Sequence, residues 1–260
     1  MIFLQPAIDP VIFSFSFIEI RWYSLAYVFA FLIGVYLIKF LNQKSIKKIK
    51  DKEIDDFFIW AILGVILGGR IGYVLFYQSI VFINNPLYIL HIWKGGMSFH
   101  GGLFGMMLSI YLYSKQRSLN FFQLADLVSI VAPIGLFLGR IANFINVELY
   151  GRVTSFPLAI IYPTVDNLPR HPSQLYEAFF EGIFLFFILI YLNNKKLVNI
   201  KTGLISSLFL LFYSIFRFCI EFIREPDLHL GLYLNLFTMG QILCVPLFFL
   251  SILIFLKKIY

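Results

Sequence analysis

Fourteen residues, Gly139–Arg152, bring two arginines, two asparagines and a glutamate together in a sequence that is otherwise oily. Guanidinium groups grip phosphate or carboxylate, amides orient a polar headgroup, and a carboxylate fixes the cations in place. Burying such groups is expensive, so where they cluster in an apolar chain they face a cavity or a ligand. A second run, Tyr213-x3-Arg217-x3-Glu221-x2-Arg224, has spacings that stack all four side chains on one face of a helix. It admits two readings: a ladder of ion pairs within the helix, or a surplus of positive charge that an anion such as phosphate neutralises.

His100 stands at the predicted start of a helix, and as an isolated histidine it is open to packing, capping or proton transfer. No His, Cys or Glu lies three or four residues from it, so a metal site is not expected. Arg21, Arg70, Arg140, Arg152, Arg170, Arg217 and Arg224, with Lys94, fall on predicted outer loops or inside spans. Cations placed against the positive-inside trend point to an anionic ligand, or to counter-ions such as Glu148 and Glu221.

The elements that must position these groups follow from composition. With 60% hydrophobic, 19% aromatic and 13% charged residues, the 260-residue chain carries more apolar surface than a soluble core buries. It reads as an all-α integral membrane protein with seven transmembrane helices near 17–41, 57–79, 97–113, 121–141, 175–192, 203–223 and 235–256. Pro133 inside the fourth argues for a kink. Alternate loops hold Lys44–Lys52, Lys115 and Arg117, Lys195–Lys201 and Lys257–Lys258, which places the N-terminus outside and the C-terminus in the cytoplasm. The first residues lack the basic start of a signal peptide, so the first span is expected to direct insertion.

Residues 1–260 read as one membrane domain, and 142–174, with four prolines, as an external cap that includes a short strand within Phe156–Pro163. Residues 80–95, with Tyr88, His91 and Trp93, read as an interfacial segment. Gly64, Gly68 and Gly72 repeat every four residues and favour close helix packing, as do Gly101 and Gly105. Cys219 and Cys244 sit in apolar runs and are expected to be buried and unbridged. The net charge of +7 lies in short inter-span loops, which fits topology and anionic lipid and excludes nucleic acid as a partner. A transporter for an anionic solute would also line a path with arginines, but an odd number of spans without internal duplication argues against it.

Several motifs together resemble the prolipoprotein diacylglyceryl transferase family: Phe99-His100-Gly101-Gly102-Leu103, Gly139-Arg140-x2-Asn143-Phe144-x-Asn146-x-Glu148-x2-Gly151-Arg152, His171-Pro172-Ser173-Gln174-Leu175-Tyr176-Glu177-Ala178, and Arg217-Phe218-x2-Glu221-x2-Arg224-Glu225-Pro226-Asp227. Arg21-Trp22-Tyr23-Ser24-Leu25-x-Tyr27 and Gly68-Gly69-Arg70-x-Gly72-Tyr73 extend the likeness, which runs from about residue 15 to the last helix. Ala142 departs from a glycine in the family pattern, and the cap matches weakly.

The resemblance implies an enzyme of the bacterial inner membrane, multi-pass, with its active site toward the outer leaflet and no cofactor. It would transfer the sn-1,2-diacylglyceryl group from phosphatidylglycerol to the lipobox cysteine of prolipoproteins, forming a thioether and releasing glycerol phosphate. Its partners would be phosphatidylglycerol, prolipoprotein signal peptides with a lipobox cysteine, and membrane lipids. His100, Arg140 and Arg217 would be catalytic, and Tyr23, Arg70, Asn143, Asn146, Glu148, Gly151, Tyr213, Glu221 and Arg224 would bind substrate. In this scheme Arg140 and Arg217 clamp the lipid phosphate while Glu148 and Glu221 hold the arginines. Asn143 and Tyr23 orient the headgroup, and His100 takes the thiol proton or orients a hydroxyl.

Overall fold

The computed structural model describes all residues except 1–2, 16–17, 46–47, 92–95, 196–200, 227–230, 232, 234–235 and 260. Trp93, Lys94 and Asp227, like Lys47 and Lys196, therefore lie outside the described residues. In chain order the elements are β1 (Phe3–Leu4), β2 (Val11–Phe15), β3 (Ile18–Arg21), α1 (Trp22–Lys44), α2 (Asp51–Tyr77), α3 (Ser79–Asn84) and α4 (Phe99–Gln116). Then come α5 (Phe121–Ile145), β4 (Ile160–Ile161), β5 (Pro169–Arg170), α6 (Ser173–Asn193), α7 (Leu204–Ile220) and α8 (Met239–Ile259).

This is an all-α membrane protein with minor strands. Five helices, α1, α2, α5, α6 and α8, are long and apolar enough to cross a bilayer, and α7 is a shorter apolar helix. Helix α5 continues through Pro133 to Ile145, so the arginine and the first asparagine of the opening motif stand on regular helix. The chain folds as two compact units, residues 1–34 with 128–260 and residues 35–127.

In the second unit, α2 and α4 pack through their glycines. A Cβ added at Gly72 would lie 2.9 Å from the Gly101 Cα, and one at Gly105 would lie 3.1 Å from the Gly68 Cα and closer still to the Gly64 backbone. Backbone cannot retreat as a side chain can, so the small residues are obligatory there. Gly105→Ala is expected to lower the thermal midpoint in detergent by overpacking, at about 1–3 kcal/mol. Gly102→Ala, whose Cβ would meet its nearest neighbour at an ordinary 3.6 Å, is expected to leave the midpoint in place. The same unit carries Tyr113 donating to the Glu53 carbonyl at 2.7 Å and an exposed Arg117–Asp56 pair at 2.8 Å.

In the first unit the N-terminal segment is not the opening turn of a helix. Val11–Phe15 and Ile18–Arg21 pair antiparallel as a hairpin, and α1 begins only at Trp22. The β-branched and aromatic run Val11-Ile12-Phe13 suits a pleated ribbon better than a helix, which overrides the apolar signal alone. The expected strand inside Phe156–Pro163 is β4, which pairs with β1 in parallel and with β5 antiparallel.

Candidate active site

Arg140 occupies the last turns of α5, and two acids reach it from α6. Its Nε lies 3.0 Å from Glu177 Oε2 and its Nη2 3.3 Å from Glu181 Oε2. From α7, Arg217 Nη1 pairs with Glu177 Oε1, and Nη2 lies 2.8 Å from Glu221 Oε2. Arg224 Nη1 closes the chain 3.1 Å from Glu221 Oε1. Glu177 thus bridges Arg140 of α5 to Arg217 of α7, and Glu221 bridges Arg217 to Arg224. Glu177 and Glu181 are fully buried, Glu221 and Arg224 nearly so, and the Arg140 side chain is 12% exposed.

Local structure explains the convergence. Tyr213, Arg217 and Glu221 share a face because they recur every four residues, and that face is buried as far as Arg224. Glu177 and Glu181 repeat the same spacing on α6, where Ala178–Phe184 adopts π-helical geometry. Gly182 lets α6 press against α5, since a Cβ there would meet the Phe137 Cα at 2.9 Å. Gly240 on α8 gives equally close cover to Glu221, whose carboxyl carbon would lie 2.9 Å from an added Cβ.

A second constellation adjoins Arg140 on α5. Asn143 Nδ2 donates to the Tyr23 hydroxyl at 2.7 Å and to Glu148 Oε2 at 3.2 Å, and Asn146 Nδ2 donates to Glu148 Oε1 at 3.4 Å. Glu148 is carried by a strained turn: Val147 and Leu149 both have positive φ, 57° and 58°, which costs most for a β-branched residue. The turn is held by Gln174 Nε2 donating to the Glu148 carbonyl and Ser173 Oγ donating to that of Leu149, each at 2.7 Å. Both side chains are fully buried. Ala142 is buried too, so a methyl group is accommodated where the family pattern has glycine.

The segment after α5 ties this turn to the end of α7. Gly151 pairs with Arg224 in an antiparallel bridge and donates its N–H to the His171 carbonyl at 2.9 Å. A Cβ at Gly151 would lie 2.6 Å from the His171 Cβ and 2.9 Å from the Ile223 carbonyl, so no side chain fits. Arg170 donates to Asp166 at 2.7 Å and to Glu225 at 3.2 Å, and lies over the Tyr150 ring. Burial pushes the Tyr162 phenol up and the His171 imidazole down in pKa.

The hydrogen bond from Arg170 holds the Asp166 carboxyl below its ordinary range. A depressed carboxylate pKa adds stability that is present above the unfolded value, about 3.9, and is lost as pH falls through the folded one. Acidification below about pH 4 is therefore expected to lower the melting midpoint. Asp166→Asn is expected to remove that part of the pH dependence, read from melting curves of both proteins.

This geometry corrects the expectations for Glu148, for the charge on α7 and for Cys219, and it places Arg70 and His100 in the second unit. Among the described residues Glu148 holds no arginine: its carboxylate accepts from the two asparagine amides. The surplus of positive charge expected on α7 is compensated, because Glu177 and Glu181 reach it from α6. Sequence reasoning misses those two acids as counter-ions, although like charges at i and i+4 in an apolar span signal cations opposite. Arg70 belongs to the second unit, where it donates to the carbonyls of Tyr88 at 2.8 Å and Ile89 at 3.1 Å. His100, the second residue of α4, is also in that unit, edge-on to Phe99. Cys244 is buried, but Cys219 is exposed on α7.

The family model described as prolipoprotein diacylglyceryl transferase matches residues 10–257 of this chain. The chain belongs to that family. Relatives named phosphatidylglycerol–prolipoprotein diacylglyceryl transferase agree with it over nearly their whole length. The Rickettsia felis protein is 49% identical over 246 residues, 95% of each chain. That of Rickettsia typhi is 50% identical over 248 residues, 95% of this chain and 96% of its own. Rickettsia bellii provides a third, 48% identical over 252 residues, 97% of this chain and 96% of its own. As a prolipoprotein diacylglyceryl transferase family member the chain is a transferase, and its buried arginine cluster falls within the matched region.

Proposed function

We propose that the protein transfers the sn-1,2-diacylglyceryl group of phosphatidylglycerol to the lipobox cysteine thiol of a prolipoprotein. Sulfur bonds to the glyceryl carbon, the carbon–oxygen bond to phosphate breaks with its electron pair on oxygen, and glycerol phosphate leaves. The thiol proton passes to a base. The observation that carries this reading is the buried bridge Arg140–Glu177–Arg217, two planar cations held side by side in the region that matches the family.

Negative charge grows on the departing phosphate oxygen, and guanidiniums already fixed in a water-poor site stabilise it without reorganising. Asn143 and Tyr23 orient the headgroup, while Glu148, Asn146 and Gly151 shape the turn beside them. Tyr213, Glu221 and Arg224 complete the anion site. A lipobox thiol, with a free pKa of roughly 8.5, needs a base or nearby positive charge to raise its thiolate fraction. We assign that task, or the orienting of a headgroup hydroxyl, to His100 on its motif, and to Arg70 a supporting role in substrate binding.

The chain works in this proposal as one membrane domain of seven spans in the bacterial inner membrane, N-terminus outside and C-terminus in the cytoplasm. Residues 142–174 form the external cap, and the active site faces the outer leaflet. The loop charges support that orientation. The test is incubation with phosphatidylglycerol and a lipobox peptide, with and without its cysteine, scored by mass. A cysteine-dependent gain of one diacylglyceryl group and equimolar glycerol phosphate is the expected result; no gain defeats the reading.

A further inference from the structure

The six charges of the cluster balance. Arg140, Arg217 and Arg224 face Glu177, Glu181 and Glu221, so among the described residues this contact network is neutral as it stands. A lipid phosphodiester is a monoanion. Seated against these arginines it would leave one uncompensated negative charge in a nearly water-free place, which low-dielectric surroundings penalise heavily. Something must absorb that charge.

We propose that Glu181 does so, taking up one proton from water as the headgroup phosphate enters and giving it back when glycerol phosphate leaves. This rests on the phosphate reading above. Glu181 is the most weakly held of the three acids. Its Oε2 has one contact, Arg140 at 3.3 Å, and its Oε1 accepts no hydrogen bond from any described residue, with Arg217 3.8 Å away. Glu177 and Glu221 each bridge two arginines at shorter range. From α6 the other charge facing Glu181 is Glu177, from α5 Arg140, and from α7 Arg217 with the Tyr213 phenol. Cys244 faces it from α8.

Withdrawal of the ionised side chain is the costlier alternative. The Gly182 backbone packs closely against Phe137 of α5, so a retreat of α6 would break that contact. The crevice beside it, about 100 Å³ and lined by Pro133, Phe137, Phe186 and Phe187, is apolar and offers an ionised carboxylate no partner. A neutral acid can stay in place and donate its new hydrogen to a phosphate oxygen.

The expected signature lies in binding and not in turnover. With Glu181 ionised in the free enzyme, each further pH unit should weaken apparent lipid affinity toward tenfold. Detergent-solubilised full-length enzyme is assayed with phosphatidylglycerol in mixed micelles from pH 5.5 to 9, kcat and KM being determined separately. In the wild type KM for the lipid is expected to rise with pH, in Glu181→Asp to rise likewise, and in Glu181→Gln to be flat. Equal slopes in wild type and Glu181→Gln, or a flat wild-type KM with saturable lipid, overturn the proposal.

Should Glu181→Gln fail to fold, the wild type decides alone. In weak buffer with a pH dye, phosphatidylglycerol micelles are expected to draw up to one proton per bound lipid, and phosphatidylcholine micelles none. Saturable binding without proton uptake overturns the role of Glu181, whereas absence of saturable phosphatidylglycerol binding at every pH overturns the phosphate reading itself.

Discussion

Arg217→Ala is expected to cut diacylglyceryl transfer by about 10²–10³-fold or more, the loss typical of removing one fixed donor from a developing oxyanion. Arg217→Lys is expected to recover little of it. The guanidinium of Arg217 is oriented by three acids at once: Nη1 pairs with Glu177 and lies 3.8 Å from Glu181, and Nη2 lies 2.8 Å from Glu221. A planar fork can satisfy those partners and still present an N–H edge to phosphate. A lysine ammonium is a single point of charge and can serve only one direction well. Arg140→Lys should behave similarly, since Arg140 also divides its donors between Glu177 and Glu181. The measurement is turnover of a lipobox peptide at saturating lipid, with melting curves to show that the lysine variants fold. Near-normal turnover in both would sink the clamp.

That prediction depends on contacts only half legible in the sequence. The α7 ladder could be read from spacing because a helix puts residues three and four apart side by side, and the structure pairs Glu221 with both Arg217 and Arg224. Its partners on α6 could not, because periodicity within one helix says nothing about which other helix lies opposite. Glu177 stands within a recognised motif, yet a charge balance drawn from the helix of Arg217 alone leaves it out. Spacing likewise places Asn143 and Glu148 five residues apart without showing that a left-handed turn at Val147 and Leu149 folds one back on the other.

Span positions are legible for a simpler reason: lipid demands long apolar runs, and α1, α2, α5, α6 and α8 supply them. The same demand hides which side of a span is buried. Cys219 and Cys244 both sit in apolar runs, but one faces outward and the other inward, since lipid-facing and core-facing surfaces are equally greasy. Hydropathy absorbs part of the hairpin at Val11–Arg21 into the first span, because it weighs Val, Ile and Phe alike in strand and helix. Arg70 reads from the sequence as a cation placed against the positive-inside trend. Its hydrogen bonds to carbonyls of the segment after α3, nearly twenty residues away, are not legible in that position.

The largest stability effect is expected at Glu177. Glu177→Gln keeps shape and volume but removes the charge that Arg140 and Arg217 share, leaving the buried cluster with one excess positive charge. Removing one partner of a buried pair costs about 3–5 kcal/mol, because the remaining ion is desolvated without compensation. Glu177 is fully buried and belongs to two pairs, so the upper part of that range applies. A matched control is Glu19→Gln: the Arg21–Glu19 pair is as short, at 2.7 Å, but both side chains are about half exposed, and such pairs contribute about 0–1 kcal/mol. Melting in detergent should therefore separate the two variants clearly, Glu177→Gln well below wild type and Glu19→Gln close to it. Equal midpoints would mean that the Arg140–Glu177–Arg217 bridge is solvated like a surface pair, and the low-dielectric argument for phosphate stabilisation would fall with it. If Glu177→Gln is destabilised as expected, adding phosphatidylglycerol should restore part of its midpoint, because the lipid phosphate supplies the missing negative charge to the same two guanidiniums.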